Sequence, residues 1–122
     1  MQVEKVAYYD IRADQRGQFL GVITGSRVWR EANLFITRIG ASRGHHYSPV
    51  ATEFFFLIKG AAHVTMFHIS APADVAQFIV RAGEGLIIPP NVVRTFVYEE
   101  DGEALALRDI PFYETGPDVA FP

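Results

Sequence analysis

The chain is written in short apolar segments, each closed off by turn residues. Val6–Tyr9, Gln18–Thr24, Leu34–Ile39, Phe54–Ile58, Ala62–His68, Gln77–Val80, Gly85–Ile88, Thr95–Tyr98 and Ala104–Leu107 are mostly rich in Val, Ile, Phe, Tyr and Thr. Between them fall Gly17, Gly25, Gly40, Gly44, Gly60, Gly83, Pro89-Pro90 and Asp101-Gly102. β-branched and aromatic runs of this length with Gly and Pro punctuation read as strands and turns. Asn33–Arg38 and His63–His68 alternate apolar with polar, which suits a sheet with one face in a core and the other wet or lining a cavity. Only Pro72–Gln77 has any helical claim, and it is too short to anchor a layer of helices. The pattern predicts an all-β domain: a sandwich, jelly roll or small barrel.

At 122 residues, 49% of them hydrophobic, the chain is expected to form one domain over 1–122. The ten Phe and five Tyr fit a β interior. The absence of cysteine excludes disulfides and thiolate metal sites. Eleven Lys+Arg against fourteen Asp+Glu give a formal charge of −3, and no basic cluster could track a phosphate backbone, so nucleic acid is not an expected partner. No apolar run approaches the length of a membrane span or a signal peptide, and a cytoplasmic protein with no membrane partner is expected.

The densest polar stretch is Ser42-Arg43-Gly44-His45-His46-Tyr47-Ser48, followed by Glu53 at the head of a very apolar strand. On a regular strand His46 and Ser48 share one face while His45 and Tyr47 take the other, so the adjacent histidines should not chelate one ion together. If a turn returns the chain, Glu53 enters the same interior as His46. A buried carboxylate and imidazole then serve as an acid–base couple or as part of a metal site. Arg94 and Tyr98 lie on one strand with Phe96 between them and can share its inward face.

These residues carry a resemblance. His46-x-Ser48-x4-Glu53-x6-Gly60 and Gly83-x5-Pro89-x-Asn91-x2-Arg94 resemble the two motifs of the cupins, which implies a double-stranded β-helix, the jelly-roll barrel. More narrowly, Asp14-Gln15-Arg16-Gly17 and Arg43-Gly44-His45-His46-Tyr47 are similar to elements of the dTDP-4-dehydrorhamnose 3,5-epimerases. Ile110–Asp118 is similar to the end of the cupin domain in capsular-polysaccharide reductase/epimerases. The branch so indicated is that of nucleotide-sugar epimerases and ketoisomerases.

Metal-binding cupins place four ligands where this chain has His46, Ser48, Glu53 and Arg94. Two of the four are not ligands here, and a guanidinium neither donates a lone pair nor tolerates a neighbouring divalent cation. No bound metal and no cofactor are expected; only His63 or His68, from a neighbouring strand, could complete a ligand set. Arg94 is expected to project toward Glu53 as a partly buried ion pair.

The resemblance implies a metal-independent isomerase or epimerase that enolises the carbon beside the ketone of a nucleotide-linked 4-keto-6-deoxy sugar. His46 is then the base, oriented by an inward carboxylate. Arg94 is a cationic donor to the enolate oxygen, and Tyr98 a phenol able to return the proton. Glu53 belongs to the same catalytic group, although the rhamnose epimerases have lysine at its position and a carboxylate there needs neutralising by Arg94. Arg43 is expected to hold a diphosphate, with Ser48, Phe55 and Phe96 completing the substrate site.

Three other readings stay open. The barrel could be a cyclase or dehydratase acting on a polyketide-type carbonyl compound, a small-molecule binding module without turnover, or a metal enzyme with an unforeseen third ligand. A homodimer is expected, through an N-terminal strand within Val3–Tyr9 pairing across a sheet edge.

Overall fold

The computed structural model describes residues 1–122. The strands are β1 (Glu4–Ala7), β2 (Tyr9–Asp14), β3 (Gly17–Gly21), β4 (Glu31–Thr37), β5 (Ser42–Tyr47), β6 (Glu53–Lys59), β7 (Ala61–His68), β8 (Ala76–Arg81), β9 (Glu84–Ile88), β10 (Val92–Tyr98), β11 (Gly102–Arg108) and β12 (Val119–Ala120). A single helical turn, α1 (Phe112–Thr115), precedes β12. The Pro72–Gln77 stretch instead forms turns that run into β8.

Two five-stranded sheets, in the orders β1-β9-β6-β11-β4 and β12-β5-β10-β7-β8, face each other, and every pairing in them is antiparallel. The interleaved order is the jelly-roll arrangement expected from the motifs. Alternation does the sorting. On β6 the inward Phe55 and Leu57 join Ala62, Val64 and Met66 of β7, Leu86 and Ile88 of β9, and Val92 and Phe96 of β10 in one apolar core. On the outer side of β6, Phe54 is buried under Trp29, whose ring centroid lies 6.2 Å away.

Strand register places the polar interior in one layer. Arg108 pairs with Glu53 across β11 and β6, and His46 pairs with Arg94 across β5 and β10. One end of the barrel interior is therefore charged, next to the apolar core.

β1 pairs with β9 of its own chain, so the N-terminal strand forms the outer edge of its own sheet. β2 and β3 form a separate hairpin that pairs with neither large sheet. Its side chains are exposed almost throughout, including Tyr9, Ile11, Phe19 and Leu20. No helix is long and apolar enough to cross a membrane.

Candidate active site

The barrel opens into a cavity of about 850 Å³ lined by His46, Glu53 and Arg94 at the charged layer, by Phe55, Phe96 and Tyr98 further along, and by Arg43. Phe112, Tyr113, Gly116, Pro117 and Asp118, on the segment after β11, form another wall.

A β-bulge makes this arrangement possible. Arg94 is opposite His46, yet Thr95 is opposite Gly44 and Phe96 opposite Arg43, leaving His45 as the extra residue. On a regular strand, residues three apart face opposite ways. The inserted residue changes the phase, so both Arg43 and His46 point into the barrel. Gly44 adopts φ +107° and His45 φ +63°, and a Cβ on Gly44 would collide with the Arg94 carbonyl oxygen, so the bulge needs glycine there.

Arg94 does project toward Glu53. Its Nη2 donates to Glu53 Oε2 at 2.7 Å and to Asp118 Oδ2 at 3.1 Å, with both carboxylates buried. Nε and Nη1 of Arg94 find no protein partner and are not sealed from the cavity, so they remain available as donors. Burial pushes the Glu53 carboxyl above its ordinary range, and the attraction of Arg94 offsets this only in part. Asp118 behaves oppositely. Burial alone would raise it, but the contact with His46 and the charges of Arg94 and Arg108 outweigh burial and hold it below 3.8.

The carboxylate that meets His46 is Asp118, not Glu53. His46 Nδ1 lies 3.1 Å from Asp118 Oδ2. The geometry at Nδ1 does not meet that of a hydrogen bond, so the contact is a close polar approach. Nδ1 is sealed from solvent whereas Nε2 is not, which leaves Nε2 as the nitrogen open to the cavity. Arg108, fully buried, holds Asp118 from behind: Nη1 donates to Asp118 Oδ1 at 3.3 Å, Nε to the Ile110 carbonyl at 3.2 Å, and Nη2 to Thr115 Oγ1 at 3.4 Å. Its guanidinium also sits 3.7 Å from the Phe112 ring centroid.

Asp118 and Arg108 were not among the expected site residues. The inward row Ala104, Ala106, Arg108 places a charge on a core-facing position, and that was the available signal for Arg108. Asp118 stood in the tail that resembles the reductase/epimerase cupins, with nothing local to mark its role.

The other expected residues fall into two groups. Phe55 and Phe96 stack at 4.3 Å as cavity wall. Arg43 lines the cavity with Nε on Thr37 Oγ1 at 2.6 Å and Nη2 on the Ile36 carbonyl at 3.1 Å, leaving Nη1 without a protein partner. Tyr98 lines the same cavity four residues along β10 from Arg94, about 13 Å between Cα positions at the usual strand rise, and its phenol neighbours Thr37 and Arg43. Burial raises its phenol above 10.0, with Thr37 and Arg43 opposing by less. Ser48 does not reach the cavity: its Oγ accepts the backbone N–H of Ala51 at 2.9 Å and of Val50 at 3.3 Å, so it serves the β5–β6 turn and not a substrate. Arg16 is engaged at 2.7 Å with Asp14 on the exposed β2–β3 turn.

These donors do not fit a metal. The four ligand positions hold an imidazole, a hydroxyl turned into a loop, a carboxylate and the guanidinium bonded to it, and where His46, Glu53 and Asp118 gather, the Arg94 guanidinium occupies the centre, so no three His, Asp or Glu side chains are placed to hold a metal ion. His68 Nδ1 is taken up by Ser70, and neither His63 nor His68 lines the cavity.

No family model and no curated protein matches the sequence. Solved structures match its fold. QdtA, a sugar 3,4-ketoisomerase from Thermoanaerobacterium thermosaccharolyticum in complex with TDP, is 18% identical with a TM-score of 0.75, over 93% of this chain and 84% of that one. A 3,4-ketoisomerase from Helicobacter canadensis is 15% identical, TM-score 0.76, over 91% and 85%. ChmJ, a 3′-monoepimerase from Streptomyces bikiniensis in complex with dTDP-quinovose, is 16% identical, TM-score 0.77, over 89% and 64%. At these identities the likeness is one of fold, and the fold of this chain is the double-stranded β-helix, the jelly-roll barrel.

Proposed function

We propose that the chain, as one cupin domain, is an isomerase that enolises the carbon beside the ketone of a nucleotide-linked 4-keto-6-deoxy sugar, with no metal in the step. The observation that carries this reading is the His46–Asp118 pair opening onto the cavity beside a cation that still has free N–H donors. Removing a proton next to a carbonyl needs a base and a stabiliser for the oxygen that gains charge. His46 Nε2 takes the proton, and Asp118 stabilises the imidazolium that results. Nε or Nη1 of Arg94 donates to the enolate oxygen. Glu53 holds Arg94 in place. Once the enediol has passed its proton from one oxygen to the other, His46 returns the abstracted proton to the neighbouring carbon, which moves the ketone by one position; return to the original carbon from the same residue only regenerates the substrate.

Arg43 keeps Nη1 free as a donor for a diphosphate, and Phe55 and Phe96 wall the sugar pocket. The support for a sugar nucleotide over a polyketide-type substrate is that neighbours of the same fold were crystallised with TDP or a dTDP-sugar. A cavity of about 850 Å³ is in the range of small-molecule sites.

The test is incubation with dTDP- and UDP-linked 4-keto-6-deoxyhexoses in deuterated water, followed by proton NMR. Loss of a ring-proton signal beside the ketone is expected, slowed about a hundredfold or more in His46→Ala. No exchange with either sugar overturns the reading.

We also propose a homodimer. The free-standing β2–β3 hairpin, with Tyr9, Ile11, Phe19 and Leu20 exposed, has no place to bury them on its own barrel.

A further inference from the structure

We propose that Phe121, on the outside of the barrel, is a positioning residue that holds Asp118 against His46 through the sheet. The inference rests on the reading of His46 and Asp118 as an acid–base pair and adds what sets their geometry.

The segment after β11 is tied down at two places. On the inside, Arg108 gathers the Ile110 carbonyl, the Phe112 ring, Thr115 and Asp118. On the outside, the Phe121 ring packs edge-on against Phe67 at 5.0 Å and His45 at 6.1 Å. Between these anchors the chain is extended: β12 pairs Val119 with Tyr47 and Ala120 with His46, and the Phe121 N–H donates to the His45 carbonyl at 3.1 Å. Residues three apart on an extended strand take opposite faces, which is why Asp118 enters the cavity and Phe121 the outer face. Three extended residues span about 10 Å with little slack, so the seat of Phe121 fixes how deep Asp118 reaches.

Nothing else in β12 can do this. The strand is two residues long, lies at a sheet edge, and both its side chains are exposed. Two backbone pairings on an edge fray readily without a packed side chain. The His45 side of the slot exists because the bulge throws His45 outward with φ +63°, so the irregularity that turns Arg43 and His46 inward also supplies part of the seat for Phe121. The charged groups facing His46 are Asp118 and, on β10, Arg94, with Glu53 behind Arg94 and Arg108 behind Asp118.

The test needs no substrate in its first arm. The full chain is labelled with ¹⁵N histidine, and the imidazole tautomer and titration of His46 are followed in wild type, Asp118→Asn, Phe121→Ala and Phe121→Leu. The expected result is that Phe121→Ala moves the His46 signals in the direction of Asp118→Asn and leaves His63 and His68 at their wild-type positions, while leucine, refilling the slot, restores them. In the exchange assay Phe121→Ala is expected to lower kcat roughly tenfold to a hundredfold with KM little changed.

If Asp118→Asn moves His46 and Phe121→Ala does not, the inference fails and the acid–base pair stands. If Asp118→Asn leaves His46 untouched, the pair itself fails and the inference with it. If Phe121→Ala shifts all the histidines together, or leucine does not restore the wild-type signals, the ring is mere structure and the inference is overturned.

Discussion

Replacing Asp118 by asparagine keeps the shape of the side chain and removes the one charge shared among His46, Arg94 and Arg108. Arg94 retains Glu53 at 2.7 Å, but Arg108, which has no exposed surface, is left with a carbonyl, a hydroxyl and an aromatic face. Breaking a buried ion pair from one side costs about 3–5 kcal/mol, and the retained amide oxygen keeps the loss near the lower figure, about 3 kcal/mol. For a chain of this size that lowers Tm by roughly 10 °C. Glu53→Gln makes the contrast. Burial outweighs Arg94 at Glu53 and raises its carboxyl in the folded state, so the charge that the substitution removes is already disfavoured there and a smaller loss than for Asp118→Asn is expected at pH 7. The pH dependence separates the two carboxylates further. Asp118 is lowered in the fold, so its contribution is present above 3.8 and lost as pH falls through its folded value; Asp118→Asn therefore removes part of the acid denaturation. Glu53 is raised, so the folded state holds its proton more tightly. Its stabilising share is complete below 4.5 and is lost as pH rises through the folded value, and Glu53→Gln gains on wild type across that window. Thermal melts at a series of pH values check both signs. A Glu53→Gln variant that loses as much as Asp118→Asn, or an Asp118→Asn variant that melts with wild type, refutes the reasoning.

Two other outcomes follow from the geometry. Gly44→Ala must bring a Cβ into the Arg94 carbonyl at a left-handed φ, so a loss of about 3 kcal/mol or more is expected, read as a lowered denaturant midpoint. Sedimentation equilibrium should give twice the chain mass, and Ile11→Asp with Phe19→Asp should return the monomer; a monomeric wild type rejects the dimer.

The strands, the inward face of β6 and the Glu53–Arg94 pair were legible because each follows from local alternation plus one antiparallel return. Ser48 misled because alternation puts it on the face of His46, whereas the chain turns immediately after it and the loop amides take its hydroxyl. The bulge was not legible: an extra residue leaves no mark in a stretch as polar as Ser42–Ser48, yet it decides that Arg43 faces inward. Asp118 lay beyond reach for another reason. Its partners are at positions 46, 94 and 108, joined to it only by the path of a segment with little periodicity of its own.

The phase change at Gly44–His45 divides one strand into two functional halves. Upstream, Arg43 reports to β4 through Thr37 and Ile36; downstream, His46 reports to Asp118. A strand without the bulge could aim only one of them at a ligand. With it, and on the proposed function, the grip on the diphosphate end of the substrate and the proton-moving end are held by different neighbours. Sequence drift around residues 36–43 can then retune which anion is accepted while the chemistry at 46 and 118 stays as it is.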